Sequence, residues 1–415
     1  MGRLLIFARQ RLGTLVLLAV LAPVAAAASD FGAVIDLRAV AADGLTSFLD
    51  GGLGDLRFDD QHDGLRLGSV SLFYNHAFFD IVHVNVDAVA YDDHDRNLVD
   101  LTQIFAELRP FPSNGWRSRY KLGAFYAPIS LENRLQGWRS AYSISPSAIN
   151  TWIGEELRTL GAEYDLDWLG RQRGHDWGFG ATAAVFGWND YSGELLSQRG
   201  WAIHDRQTTL FGLIGQPNMP PVGGLREFTT DADQRPGYYA GLNAEYRDQL
   251  ELRVLHYDNE AKTEAYSFSQ QDFGWRTWFN SAGVRWTPTA QWTVIAQWIN
   301  GITMVGDSGF ENNILTDYYR YEFHAAFLLA SWQHGPDRLT ARYDDFEMHQ
   351  NESDDFFNRN RGHAWTLAYE RDLSRHWSVA LEALQIDSSL ASRSQIGEPV
   401  NAAERELQLA VRLQL

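Results

Sequence analysis

Few residues of this chain fall into patterns that support bond-making chemistry. Gly306-Asp307-Ser308-Gly309 has the letters that can surround a nucleophilic serine, but it sits in a polar stretch and nothing upstream supplies its partners. His324 and His363 are too isolated to complete such a set, so the match reads as coincidence. No HExxH, GxSxG or P-loop pattern occurs. Asp59, Gln61, Asp63 and Gly64 begin like a calcium loop, but Val70 stands where the closing glutamate belongs, which excludes an EF-hand. There is no cysteine, so disulfides, thiolate metal sites and cysteine nucleophiles are excluded. The expectation is a protein that is not an enzyme and holds no cofactor and no metal.

The chain is organised instead around one long connection, Ile129 to Glu156 (SLENRLQGWRSAYSISPSAINTWIGEE from Ser130). A connection of this length without regular structure is uncommon unless it is functional. Two alternating segments flank it. In the first, Tyr120, Leu122, Ala124 and Tyr126 share one face, with Arg119, Lys121, Gly123 and Phe125 on the other. In the second, Leu160, Ala162, Tyr164, Leu166 and Trp168 oppose Thr159, Glu163, Asp165 and Asp167. Period two is the signature of a strand. A face with three carboxylates meets water, so the opposite face needs a wide apolar contact.

The pattern recurs from Phe31 to Leu415. Apolar sets at 35–39, 70–74, 82–90, 104–108, 179–185, 238–246, 282–286, 292–298, 321–329, 339–343, 365–369, 377–383 and 407–415 each alternate with polar residues, and a less regular segment covers 250–258. About 16 strands result. Short connections alternate with long polar ones along the chain, and Trp168, Trp177, Trp286, Trp292, Tyr369 and Trp377 flank the short ones, as an interfacial aromatic girdle would. The fold class is all-β, a transmembrane antiparallel β-barrel with short periplasmic turns and long external loops. The long stretch from Asp190 to Pro236 leaves 18 strands open, because RQTTLFGLIG could add to the wall.

Arg3, Arg9 and Arg11, the apolar run Leu12 to Val24 and the small residues Ala25 to Ala28 read as a secretory signal peptide over 1–28, leaving one barrel domain over 29–415. No later run is long enough for a transmembrane helix. Mean hydropathy is −0.31, which suits a barrel whose every second residue faces water. The net charge of −18 argues against nucleic acid as a partner. Lysine occurs only at 121 and 262, so positive charge is almost all arginine.

With its strand and loop pattern and its final strand ELQLAVRLQL, the chain resembles a Gram-negative outer-membrane porin over essentially its whole mature length. KLGAFYAPISLENR further resembles the phosphate-selective porin O and P group. The resemblance implies a passive channel for small hydrophilic solutes or ions in the outer membrane, lipid and lipopolysaccharide as surroundings, and a homotrimer. It also implies that the third long loop, 129–156, folds inward and narrows the pore, with Glu132, Arg134, Arg139, Glu155 and Glu156 as constriction residues. A barrel of this size is too wide for wall side chains to fill, which independently calls for an inserted segment. The strands opposite carry Arg285, Arg320, Arg338 and Arg342 as expected pore-wall residues, and loop carboxylates facing wall guanidiniums would set a field across the pore. A phosphate- or anion-selective channel, and a surface hydrolase or adhesin on a closed barrel, are the alternatives. Asp92, Asp93 and Asp95, and Asp344, Asp345, Asp354 and Asp355, read as solvated loop tips, or as sites for divalent cations that bridge lipopolysaccharide.

Overall fold

The computed structural model describes residues 29–92, 98–215, 225–227, 231–267, 272–306, 319–351 and 358–415. The expected signal peptide, Asp93, Asp95, Asp307, Ser308, Asp354 and Asp355 lie outside them. Sixteen antiparallel strands form one closed barrel. They are β1 (Ser29–Asp43), β2 (Gly64–Phe78), β3 (Val82–Ala90), β4 (Asp100–Leu108), β5 (Trp116–Phe125), β6 (Thr159–Trp168), β7 (Trp177–Gly187), β8 (Gly237–Tyr246), β9 (Leu250–Asp258), β10 (Arg276–Trp286), β11 (Trp292–Val305), β12 (Tyr319–His334), β13 (Asp337–Asn351), β14 (Arg359–Asp372), β15 (Trp377–Leu390) and β16 (Asn401–Gln414). Each pairs with its neighbours in sequence, and β1 closes the ring on β16 from Val34↔Gln414 to Asp43↔Arg405. The count is sixteen and not eighteen. Residues 213–215 pair only with 225–227, in a small hairpin apart from the wall.

The alternation does in the structure what it predicts. On β16, Leu407, Leu409 and Val411 are exposed outside, while Glu404, Glu406, Gln408 and Ala410 are buried inside. The same exposed apolar face continues through Leu367, Leu339, Leu328, Leu242, Val185 and Leu122. A belt this continuous is not a water-facing surface and fits a lipid contact. Exposed Trp116, Trp177, Trp286, Trp292, Trp332 and Trp377 mark the ends of strands next to short turns. Among the described residues no helix is long and apolar enough to cross a membrane.

Inside, β5 and β6 pair their charges directly. Arg117 lies 2.9 Å from Asp167, Arg119 3.6 Å from Asp165, and Lys121 2.5 Å from Glu163. These are the polar faces expected to meet water.

The wall has two tiers. From β3 to β10 the strands are 9 to 11 residues long. From β11 to β16 they are 14 to 16, and β1 and β2 are 15 each. The short connections are tight. His334 passes to Asp337 through Gly335 and Pro336, and Gly335 adopts φ +58°, a conformation that suits glycine.

One expected face is reversed. On β12, Tyr321, Phe323, Ala325, Phe327 and Leu329 are buried and point inward. Arg320, Glu322 and His324 pair with Met304, Ile302 and Asn300 on the outer side, in line with exposed Leu328 and Trp332. Arg320 is therefore not a pore-wall residue. It lies 3.2 Å from Glu322 on the outer surface, at the loop end of its strand. The inner face of β12 is apolar because an apolar helix packs on it.

Candidate functional site

That helix belongs to the connection between β5 and β6. After Phe125 the chain leaves the wall and meets strands far from its own. On β9, the Arg253 guanidinium donates to the carbonyls of Pro128 (2.8 Å) and Ser130 (3.3 Å). On β11, Gln297 Nε2 donates to Ile129 O at 3.3 Å. Leu131 is fully buried and presses on Gly283 of β10, where an added Cβ would stand 2.6 Å from Leu131 Cδ1. Ser147 then caps helix α1 (Ala148–Glu156) by accepting from Asn150 N. All nine residues of α1 are buried. Trp152 meets Phe279 of β10 and Phe323 of β12 edge-on, at 5.5 and 5.1 Å.

The deepest anchors are charged. Arg342 of β13 donates to Ser143 Oγ (3.2 Å), Ser145 O (2.7 Å), Pro146 O (3.0 Å) and Asp344 (2.7 Å). Glu382 of β15 accepts from the backbone N–H groups of Ile144 (2.6 Å) and Ser145 (3.1 Å). Asp344 accepts from Ala148 N at 3.1 Å. Since β13 lies eight strands from β5 in a ring of sixteen, these contacts join opposite sides of the barrel.

The predicted loop residues divide sharply by sign. Glu132 is fully buried and accepts from Ser147 N (2.7 Å), Ser147 Oγ (2.5 Å) and Asn150 Nδ2 (2.7 Å), with Arg342 at 3.6 Å. Glu155 is buried and takes a two-pronged contact from Arg199, at 2.7 and 2.6 Å, with His204 at 2.9 Å. Burial opposes ionisation of Glu155, but Arg199 and His204 hold its carboxyl down to about 2. Glu156 is buried without a cation, and burial pushes it up to about 7. The two arginines are less enclosed, Arg134 exposed and Arg139 half-buried. Arg134 pairs with Glu251 of β9, and Arg139 lines a polar cavity. On the wall, Arg342 is buried in anchoring contacts, Arg285 donates to Tyr142 OH (3.3 Å), and Arg338 lies over the Tyr142 ring at 5.2 Å. Apart from the outward Arg320, the expected wall arginines thus all meet this loop.

A second segment occupies the same space and was not anticipated. Between β7 and β8, Asn189 to Leu210 is almost continuously buried. Its short helix α2 (Glu194–Arg199) starts on the Glu156 carboxylate, which accepts from the N–H groups of Gly193 (3.1 Å), Leu195 (2.7 Å) and Leu196 (3.1 Å). Asn358 donates to Ser197 O (2.6 Å), and Asn360 of β14 accepts from Trp201 N (3.0 Å). Trp201 is fully buried and stacks edge-on with Trp152. The chain then turns back along α1, with Thr151 Oγ1 donating to His204 O (3.0 Å) and Thr208 N to Gly154 O (3.1 Å). Asp205 pairs with Arg38 of β1 and, at 3.1 Å, with Arg57, and these two cations pull its carboxyl below the usual range although burial works against them. Leu210 N finally reaches Leu101 O of β4 (2.8 Å). The sequence signal was the apolar set Leu195, Leu196, Trp201 and Ile203 in a stretch that does not alternate.

The calcium-like residues have a local role. Asp59 accepts from the backbone N–H groups of Ser47 (2.8 Å), Gln61 (2.9 Å) and His62 (2.9 Å), bracing the β1–β2 connection. Among the described residues, Asp50, Asp59 and His62, and Asp190, Asp231 and Asp233, are the groups close enough to gather round a cation. Asp344 is a buried anchor and not a loop tip.

No protein-family model and no curated protein matches the sequence. Solved structures do match the fold. The outer membrane channel DcaP of Acinetobacter baumannii is similar with a TM-score of 0.54 at 12% identity, covering 95% of this chain and 99% of that one. An anion-selective porin from Comamonas acidovorans gives 0.52 at 10% identity, over 94% and 100%. OmpF of Salmonella typhi, solved with daunomycin, gives 0.52 at 9% identity, over 94% and 98%. These likenesses are of fold. The narrower resemblance to the phosphate-selective group receives no support from them.

Proposed function

We propose that this protein is a porin of the Gram-negative outer membrane, a passive diffusion channel for small hydrophilic solutes or ions. The observation that carries the reading is a closed sixteen-strand barrel with an apolar outer belt and an interior crossed by a polar insert. An apolar outside with charges and hydroxyls within suits a structure that carries water through lipid. No bond-making step is part of the proposal, and residues 1–28 act as a cleaved export signal. Lipid and lipopolysaccharide surround the belt, and the barrels associate as trimers, an arrangement in keeping with the fold.

In this reading the 129–156 insert narrows the channel. The contacts from β5 to β13 and β15 support it, because a segment tied to opposite walls has to cross the lumen. The pore-facing members of the predicted set are Arg134 and Arg139, with Arg285 and Arg338 on the wall. Glu132, Glu155, Glu156 and Arg342 hold the insert in place.

Purified protein in a planar bilayer tests the proposal. Stepwise, ohmic single-channel currents are the expected result. A folded protein that passes no current overturns it.

A further inference from the structure

Along β10 to β13 the inserts lie directly on the wall. Phe279, Ile295, Ile299, Leu329 and Met348, on β10 to β13, are wholly buried. Toward β16, β1 and β2 the contact changes in kind. There a narrow cavity of about 40 Å³ separates the wall from both inserts, and its lining turns to hydroxyls and charge. Ser69 and Ser71 stand on β2, Ser140 and Arg139 on the first insert, and Asp205 and Arg206 on the second.

The charges of this cavity are unequally engaged. Arg38 is saturated, with Asp36 at 2.9 and 3.0 Å, Asp205, and Gln408 at 3.0 Å. Arg412 is shared between Asp36 (2.9 Å) and Glu370 (3.4 Å). Arg139 differs. Its Nε donates to the backbone carbonyl of Gln136 (3.1 Å), with the Phe73 ring 5.9 Å away, and among the described residues no carboxylate lies within ion-pairing distance. Burial, then the nearby Arg412, lowers its guanidinium to about 10, so it is a full cation at neutral pH. Arg38, Arg139, Arg206 and Arg412 outnumber Asp36 and Asp205 in the lining. A planar cation with unfilled donors at a hydroxyl-lined gap is suited to a chloride, carboxylate or phosphate oxygen.

We infer that solutes pass between the two inserts and the β16–β1–β2 wall, that the passage favours small anions, and that Arg139 receives them while Asp205, on the second insert, limits them. The inference rests on the channel reading and adds the route, the charge preference and the part of the second insert.

Reversal potentials across a salt gradient test it, with potassium chloride, acetate and phosphate as probes. The wild type is expected to prefer anions in all three salts. Arg139→Gln should lower the anion-to-cation permeability ratio several-fold with current retained, and Asp205→Asn should raise it. Ser71→Cys should lose more than half its current to an anionic thiosulfonate reagent, while Met348→Cys, on the closely packed side, should keep it. Cation preference in the wild type, an unchanged ratio in Arg139→Gln, or an insensitive Ser71→Cys overturns the inference and leaves the channel reading standing. No current from folded wild-type protein overturns both.

Discussion

The two segments inside the barrel are held by different means. The first, 129–156, is fastened to the far wall through charge: Arg342, Asp344 and Glu382 bind its backbone and the Ser143 hydroxyl with distances of 2.6 to 3.2 Å. The second, 189–210, is fastened both to the first, through Glu155, Glu156, Thr151 and Gly154, and to the wall, through Asn358, Asn360, the Asp205–Arg38 pair and the Leu210–Leu101 bond. The lesson is one of order. The first insert rests on the wall, whereas the second rests on the wall and on the first.

Variants can break or sharpen that ordering. The largest effect is expected at the foundation. Arg342→Ala strands Asp344, Glu382 and Glu132 in a buried site, at a cost of about 3–5 kcal/mol, and should loosen both inserts. Thermal unfolding followed by tryptophan fluorescence, together with open-channel noise, would show it, and a variant as quiet and stable as wild type would break the ordering. Trp201→Ala removes a fully buried indole and should cost about 3–5 kcal/mol, chiefly by loosening the second insert. Limited proteolysis should then cut within 189–210 and spare 129–156.

A milder effect follows from pH. Burial raises the Glu156 carboxyl to about 7 from an ordinary value near 4.5. The fold therefore favours the protonated form, and the stability it contributes is full below about pH 4.5 and lost as pH rises through 7. Channel noise from the second insert should grow between pH 5 and pH 8, and Glu156→Gln should abolish that dependence. The smallest effect is expected at Arg320. Because it points outward beside Glu322, Arg320→Gln should change stability within about 0.5 kcal/mol and leave conductance untouched. A shifted conductance would mean that the face of β12 is assigned backwards.

The wall was legible in the sequence because one side of each strand answers to lipid, and period two survives any interior. β12 misled for a physical reason. Both of its faces are apolar over Ala325 to Ala330, so the trio Arg320, Glu322 and His324 was the most visible polar set, yet it lies above the belt on the outside. The 129–156 connection was legible as an unusual segment by its length and position. The fate of its carboxylates was not, because a glutamate facing water and one buried against an arginine have the same letter. The second insert hid for a related reason: its burial comes from irregular packing against another loop, which leaves no period to read.

The unequal tiers of the wall have a consequence for depth. Strands such as β12 and β13, of 16 and 15 residues, exceed β5 and β7, of 10 and 11, by four to six, which at about 3.3 Å per residue and a tilt near 45° raises one side by on the order of 10 Å. Both inserts spring from β5, β6 and β7, on the low side. That low rim works as a sill. A segment that starts there reaches across the bore nearly level, without first climbing over the top and folding back down. On the proposed channel reading, how deep the narrowing lies is set by where three strands stop, and adding a pair of residues to each of β5 and β6 would lift it toward the mouth without touching a residue of the insert.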